Sequence, residues 1–166
     1  MPAPVTPDPV RPGQESVWDY PRPPRVEECR RPLTVELGGV VVARTDRSWR
    51  VLETGHPPTY YLPVGAFVPG ALRDAPGSSV CEWKGRARYH DVVGGGLVAE
   101  RAAWSYPETS PGFEVIAGAV AVMAGQVDRC TVDGETVVPQ PGGFYGGWIT
   151  ADVVGPFKGV PGSWGW

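Results

Sequence analysis

Three reactive side-chain types fall within one short run of the sequence. Cys81 carries a thiol, Lys84 an amine and Tyr89 a phenol. A strand over this run places Cys81, Trp83 and Tyr89 on one face and Lys84 on the other, because side chains alternate along a strand. Lys84 can then meet Tyr89 only if Gly85 shifts the register, since glycine tolerates positive φ and often marks a bulge. We predict that the candidate site lies in this run.

Lys84 is the first candidate for a functional charge. Apart from Lys158 it is the only lysine in a chain that otherwise uses arginine. An amine can hold an anion, and burial can tune it into a base or a nucleophile. Glu53 precedes a turn at 55–58, where its carboxylate can pair with Lys84 or act as a general base. The alternatives are a solvated strand lysine and a carboxylate that only ties down the turn.

Aromatic side chains are candidates for a ligand-binding wall. Trp104 and Tyr106 are two residues apart, so in an extended segment they point to the same side. Such a pair suits a stacking wall with a hydroxyl group, although core packing explains it as well. Tyr60 and Tyr61 face opposite ways, so at most one of them joins the wall. We assign Tyr60 to it, together with Trp83.

The Cys81 thiol has two interpretations. It becomes a nucleophile if Lys84 lowers its pKa and His56 serves as its base. No Asn or Asp is placed to orient that histidine, so the pattern favours a packed thiol in the ligand-binding set. We assign proton transfer to Tyr89, together with Glu53, and we interpret His90 as a surface strand residue.

Composition excludes several classes of partner. The 166 residues are 42% hydrophobic and 20% charged, which is enough for one buried core without a metal or disulfide. The net charge of −3 gives no basic surplus, so we expect no binding to nucleic acid. The longest apolar run, 115–124, is far shorter than the roughly 20 residues of a membrane span, so we expect no membrane segment.

The cysteines indicate a reducing environment. Cys29, Cys81 and Cys130 are odd in number, widely spaced and without a CxxC pair or neighbouring histidine pair. They therefore indicate neither a disulfide framework nor a zinc site. We expect a cytoplasmic protein with no metal and no other cofactor.

Glycine and proline predict an all-β fold. The chain has 23 Gly and 20 Pro, which break helices, but also 7 Trp, 6 Tyr and 4 Phe, which argue against disorder. A hairpin is predicted from strand 33–37, the turn Gly38-Gly39 and strand 40–43. Further strands are predicted over 49–53, 59–62, 84–92, 97–103, 118–123 and 127–132, with one short helical turn at 111–116.

The pattern divides the chain into three parts. Residues 1–24 contain eight prolines and predict an extended, partly mobile N-terminal arm. Residues 25–138 form the domain. Residues 139–166 are rich in glycine and aromatics and predict a C-terminal tail packed on the domain. The alternative for this tail is an exposed aromatic patch that binds a partner.

Four motifs in order carry a family resemblance. They are Gly38-Gly39-Val40-Val41-Val42-Ala43, the segment 53–63 with Thr-Gly-His-Pro-Pro-Thr-Tyr-Tyr, Cys81-x-x-Lys84-Gly85-x-Ala87-x-Tyr89, and Ala103-Trp104-Ser105-Tyr106-Pro107. Together they resemble domain-of-unknown-function family 427 over roughly residues 33 to 135. The resemblance implies a β-tent, in which two antiparallel sheets lean together over a pocket. Many β-tents hold a zinc between paired CxxC motifs; this chain has none, so a metal-free variant is implied.

The family is catalogued under a nucleotidyltransferase name, and the residues argue against that activity. No DxD carboxylate pair is present, and the Gly-rich pieces at 142–143 and 146–147 lack the Lys-Ser/Thr of a P-loop. Three hypotheses remain. The first is a metal-free enzyme in which Lys84 and Glu53 act on an anionic or carbonyl substrate. The second is a non-catalytic small-molecule-binding module. The third is a protein-interaction domain that presents the tail. A homodimer is an open alternative to a monomer.

Overall fold

The computed structural model describes residues 5–81 and 83–166, and in this part the chain is all-β. The all-β prediction is therefore confirmed. The strands are β1 (Glu15–Ser16), β2 (Arg25–Cys29), β3 (Leu33–Leu37), β4 (Val40–Thr45), β5 (Ser48–Leu52), β6 (Thr59–Tyr61), β7 (Leu72–Cys81), β8 (Gly85–Gly94), β9 (Leu97–Ser105), β10 (Val120–Val122), β11 (Arg129–Val132), β12 (Glu135–Thr136), β13 (Val138–Pro139), β14 (Trp148–Ile149) and β15 (Val153–Val154). Most of the strands are short, as expected of a chain punctuated by glycine and proline, whereas β7 and β8 have 10 residues each and β9 has 9.

The strands are distributed over five sheets. Two have four strands, in the orders β10-β9-β8-β7 and β12-β11-β3-β4, and one has three, in the order β2-β5-β6. All neighbours in these sheets are antiparallel. The two remaining pairs are β13–β14, which is antiparallel, and β1–β15, which is parallel.

The predicted hairpin at 33–43 is confirmed. Gly38 and Gly39 have φ of 64° and 79°, the positive values that a two-residue hairpin turn requires. Leu33, Val35 and Leu37 are buried and alternate with half-buried residues, as expected of a strand with one face on a core.

Strand β7 was missed by the sequence analysis, because Pro76 and Gly77 indicate a break. In the structure the strand passes through them, and the register of β7 against β8 shifts between Asp74 and Ser78. The run from Cys81 to Tyr89 is consequently not one strand, which corrects the prediction. The chain reverses there, since β7 ends at Cys81 and β8 begins only at Gly85.

Helical structure is limited to 3₁₀ turns in the part of the chain that the structure describes, at Val17–Asp19, Val64–Ala66, Glu114–Ile116 and Ala124–Gln126. None of them is long and apolar enough to cross a membrane. The turn predicted at 111–116 is present but begins at Glu114. Its N-cap is Phe113, which makes no side-chain capping bond.

Apolar residues cover both faces of the sheet β10-β9-β8-β7. One face joins the largest buried cluster, which includes Val92, Ala103 and Val120. The other face joins a second cluster built around Ala87 and Ala121, with further members Tyr61, Tyr106, Phe113 and Ile116. Buried apolar surface of this kind is the main stabilising contribution to such a fold. Four of the eight predicted site residues lie at the second cluster: Cys81, Trp83, Trp104 and Tyr106.

Both chain ends contact the domain. The N-terminal arm, residues 1–24, was expected to be extended and partly mobile, and its residues 1–4 lie outside the described part of the chain. Val17 and Tyr20 are buried, and the Trp18 indole nitrogen donates to the Pro156 carbonyl at 2.8 Å. At the other end Trp148 is buried, stacks on Tyr60 with ring centroids 5.1 Å apart, and donates its indole N–H into the core. Removing the Trp18 or the Trp148 side chain would expose the apolar surface that it now covers.

Candidate functional site

Lys84 lies in the connection between β7 and β8 and is half-buried. Gly85 follows it with φ of 115°, and the Ser110 amide donates to the Lys84 carbonyl at 3.0 Å, so the backbone there is held in place. The ammonium lies 5.8 Å from the centroid of the Tyr106 ring. A turn, rather than a strand bulge, therefore brings Lys84 to the aromatic face.

The surroundings of Lys84 keep its amine charged. Burial alone would lower the pKa, but Tyr61, Cys81 and Glu53 act in the opposite direction, and the net result is a pKa above the ordinary value. An amine that stays protonated at neutral pH binds anions but does not attack carbonyl carbon. The structure therefore favours Lys84 as an anion anchor over Lys84 as a nucleophile.

Tyr61, Trp104 and Tyr106 form an aromatic wall beside Lys84. The Trp104 indole N–H donates to the Tyr61 hydroxyl at 3.3 Å, and the Tyr61 and Tyr106 centroids are 6.3 Å apart. Burial raises the pKa of both phenols, so they keep their protons and can donate hydrogen bonds. Trp104 and Tyr106 share one face, as their spacing indicated; Tyr106 is buried in the second cluster and Trp104 packs against it.

Tyr61, and not Tyr60, occupies this wall. Tyr60 points to the opposite side of β6, where its hydroxyl accepts from the Arg31 guanidinium at 3.1 Å and its ring stacks on Trp148. The alternation along β6 separates the two tyrosines. Sequence reasoning recognised that only one of them could join the wall but assigned the wrong side.

Of the other predicted residues, Cys81 and Trp83 lie close to Lys84, whereas Tyr89 has its contacts elsewhere. Cys81 and Trp83 are half-buried and pack against the second cluster, and Cys81 contributes to the raised pKa of Lys84. The Tyr89 hydroxyl instead makes a 2.9 Å hydrogen bond to Ser79, and its ring lies 4.3 Å from the Arg101 guanidinium. The direct partners of Tyr89 are thus on the sheet rather than at the ammonium.

Glu53 connects Lys84 to a histidine. A Glu53 carboxylate oxygen is 3.9 Å from Arg22 Nε and 3.8 Å from His56 Nε2. Its charge also helps to raise the pKa of Lys84. The predicted association of Glu53 with Lys84 is therefore electrostatic, while its closest partners are Arg22 and His56.

Gln140 fixes the tautomer of His56. Its amide oxygen accepts from the Gly147 N–H at 3.0 Å, so its nitrogen must be the donor, and that nitrogen contacts the Lys158 carbonyl at 2.8 Å and His56 Nδ1 at 3.0 Å. Nδ1 is consequently the acceptor, and the proton of the neutral ring resides on Nε2, on the side of Glu53.

Burial and three cations keep His56 neutral. Burial is the largest cause, and Lys158, Arg22 and Lys84 add to it, so that the pKa of His56 falls from 6.5 to about 4. Both lysines of the chain therefore act on this one ring. Its contact with Glu53 is a contact between a carboxylate and a neutral imidazole at pH 7.

The C-terminal tail closes over this region. The Tyr145 ring meets His56 edge-on at 4.8 Å, and the Lys158 ammonium lies 5.6 Å from the Tyr145 centroid. Gly146 packs on Trp104 so closely that a Cβ there would lie 2.1 Å from the indole ring. A cavity of about 120 Å³ borders the tail at Gln140 and Tyr145.

Sequence reasoning missed the tail residues of the site. Lys158 could have been found, because it is the only other lysine, and Tyr145 is bracketed by two Gly-Gly pairs that permit close approach. Nothing in the local pattern connects Gln140 with His56, which is 84 residues away. Among the described residues no group of three or more His, Cys, Asp or Glu side chains is arranged to hold a metal ion.

The fold and the site define an all-β domain with a cationic, aromatic site between its core sheets and its C-terminal tail. The family model for Domain of unknown function (DUF427) matches residues 25–133. The chain therefore belongs to this family, as the four motifs indicated. Glu53, Lys84 and the Trp104–Tyr106 wall lie inside the matched region, whereas Tyr145 and Lys158 lie beyond it. No curated protein matches the chain.

Proposed function

We propose that this protein binds a small anionic molecule that also carries a planar group. The observation that carries the proposal is the placement of the two lysines. Lys84 and Lys158 each hold their ammonium over a tyrosine ring, and both lower the pKa of His56. Within residues 5–81 and 83–166, the cation of each ion pair is an arginine or a histidine, so neither lysine is used in an ion pair there.

The local charge supports an anionic ligand. The chain as a whole carries a net charge of −3, yet three cations, Lys84, Lys158 and Arg22, influence His56. Glu53 is the carboxylate closest to that ring. A positive region on an acidic protein concentrates small anions near it.

The hydrogen-bond donors and the aromatic rings of the site are evidence for the other features of the proposed ligand. Tyr61 and Tyr106 keep their protons, and His56 presents Nε2–H toward Glu53. Trp104 and Tyr106 supply flat apolar surface, which suits stacking with a planar group. Hydrogen-bond donors together with aromatic rings fit a carboxylate or phosphate attached to an aromatic or unsaturated group.

Catalysis on such a molecule is the second candidate function. Lys84 would hold and polarise the anionic or carbonyl group, and Glu53 would remove a proton. The specific observation in its favour is that Glu53 lies beside the neutral His56 and acts on Lys84. Because the Lys84 amine stays charged, this mechanism uses it as an electrostatic group and forms no Schiff base.

Binding is tested with phenylphosphonate and inorganic phosphate as probes, measured by calorimetry. We expect Lys84→Met to weaken phenylphosphonate binding about tenfold to a hundredfold, the range of a lost charge-assisted contact. Lys84→Arg should restore most of the affinity. Arg44→Met, which removes an exposed cation on β4, is the matched control and should leave binding unchanged. Equal loss in the Lys84 and Arg44 variants would show that only net charge matters and would refute the site.

The aromatic wall is tested with paired tyrosine variants. Tyr61→Phe should weaken binding of phenylphosphonate, since it removes a donor at the wall, whereas Tyr60→Phe should not, because that hydroxyl bonds to Arg31 on the other side of β6. Glu53→Gln separates the two functions: if it abolishes turnover of a phosphate or carboxylate compound but leaves its binding within a few fold, the domain is an enzyme.

A further inference from the structure

A second group of reactive side chains lies on the other face of the sheet that carries the aromatic wall. His90 Nε2 is 2.8 Å from the Ser105 hydroxyl, and His90 Nδ1 is 3.4 Å from a carboxylate oxygen of Asp74. His90 was interpreted from the sequence as a surface strand residue, but its side chain is only 14% exposed. A serine, a histidine and an aspartate are thus in line, with the histidine in the middle.

Strand register produces this line. Asp74 of β7, His90 of β8 and Ala103 of β9 are directly opposite one another, so their side chains share a face. Ser105 is two residues beyond Ala103 and therefore lies on the same face. Tyr106 is the next residue and points to the other face, toward Lys84. The serine group and the Lys84 site are consequently separated by the sheet.

We propose that Ser105, His90 and Asp74 form a nucleophile–base–acid triad for acyl transfer. This arrangement is recognised by geometry: the nucleophile is within hydrogen-bond reach of a base, and a third group orients that base. With Asp74 at Nδ1, the proton of the neutral His90 ring is held at Nδ1, and Nε2 is free to accept the Ser105 proton. The proposal is independent of the anion site at Lys84.

The same face provides groups for an acyl substrate with a negative charge. Arg88 is directly opposite Ser105 in the β8–β9 ladder, and Arg86 lies two residues before it on the same face. An open groove of about 500 Å³ is bordered by Asp74, Arg86 and Arg88. The groove is bordered by Asp74 and the two arginines rather than by Ser105, which is 5% exposed. On this register we assign stabilisation of the oxyanion to Arg88 and binding of a substrate carboxylate to Arg86.

The reaction follows from these roles. The Ser105 oxygen forms a bond to the acyl carbon while its proton passes to His90 Nε2, and the carbonyl electron pair moves onto oxygen beside Arg88. The tetrahedral intermediate collapses, the bond to the leaving group breaks, and the leaving group takes the proton from His90. Water then attacks the acyl-serine, with His90 again as the base, and releases the carboxylic acid and free Ser105.

Asp74 contributes less than its counterparts in buried triads. Its side chain is 93% exposed, so water screens its interaction with His90. We therefore expect His90 to be the more sensitive position, since a general base contributes about a hundredfold or more to such a step, and Asp74→Asn to cost clearly less.

A fluorophosphonate probe tests the triad on the full-length protein. We expect covalent labelling at Ser105, located by peptide mass spectrometry and absent in Ser105→Ala. His90→Gln should slow labelling about a hundredfold, and Asp74→Asn less. Ser79→Ala is the matched control, because Ser79 hydrogen-bonds Tyr89 on the opposite face, and it should label at the parent rate. Thermal unfolding checks that each variant is folded.

The outcomes are decisive in both directions. No labelling of Ser105 in folded protein, or the same labelling rate in His90→Gln, would overturn the triad.

Substrate class is tested with p-nitrophenyl acetate and the p-nitrophenyl half-ester of succinate. The half-ester should acylate Ser105 faster, and Arg86→Gln should remove that preference. Failure of both esters to acylate Ser105 would also overturn the proposed acyl transfer.

Discussion

His56 makes the stability of this domain depend on pH, and the size of the effect follows from its burial. The pKa of this ring is about 4 in the folded protein and 6.5 in the unfolded chain. Between those values the unfolded chain binds a proton that the folded protein does not. Acidification therefore favours unfolding, and the stability is retained above the unfolded pKa and lost as the pH falls below it.

The two pKa values fix the magnitude. Between about pH 7.5 and about pH 5, proton linkage at this one group lowers the free energy of unfolding by about 2 kcal/mol. Urea unfolding at the two pH values measures it. His56→Asn, whose side-chain oxygen can still accept from Gln140, should remove about 2 kcal/mol of the pH dependence, while His90→Gln, at the other histidine of the chain, should retain it.

An imidazole NMR titration gives the pKa directly. The His56 signals should shift near pH 4, and Lys84→Met should move that midpoint upward but leave it below 6.5, because burial is the larger cause. A midpoint near 6.5 in the parent protein, or identical pH dependence of stability in His56→Asn and the parent, would refute the buried, cation-surrounded ring on which the proposed function depends.

Two further predictions concern the tail and the arm. Gly146→Ala should destabilise the protein by about 1–3 kcal/mol in urea unfolding, because the added Cβ would overlap Trp104. Gly125→Ala is the control and should change stability little, because the nearest neighbour of its Cβ is at 3.5 Å. Equal effects of the two substitutions would contradict the packing of Gly146 on Trp104. Deletion of 139–166 should abolish cooperative thermal unfolding, since it removes the buried Trp148 and Gln140. Deletion of 1–13 should lower the melting temperature only slightly. A cooperative transition in the tail deletion would show that the tail is dispensable for folding.

Local patterns predicted the all-β fold and several of the residues that lie together at the candidate site. The Gly38-Gly39 pair predicted a hairpin, because the backbone of a two-residue turn needs positive φ. The spacing of Trp104 and Tyr106 predicted a shared face, because side chains alternate along a strand. Lys84 stood out because lysine is rare in this chain. The turn and the alternation can be recognised within one segment of sequence, and the rarity of lysine follows from composition, so none of these signals requires knowledge of long-range contacts.

The remainder depends on contacts between distant segments. Pro76 and Gly77 are ordinary break signals, and only the pairing of β7 with β8 shows that the strand continues through them with a register shift. The choice between Tyr60 and Tyr61 required knowing which face of β6 meets the second cluster, which alternation alone does not specify. His90 looked like a surface residue because its partners, Asp74 and Ser105, are on neighbouring strands.

Strand β9 and the residue after it contribute side chains to both proposed sites, which lie on opposite faces of one sheet. Trp104 and Tyr106 face Lys84, and Ser105 between them faces His90, so neighbouring side chains serve opposite sides of one sheet. Substitutions on opposite faces that share no partner usually act independently. Lys84→Met should therefore leave labelling of Ser105 at the parent rate, and Ser105→Ala should leave anion binding intact. Coupling between them would mean that the sheet itself moves when either site is occupied.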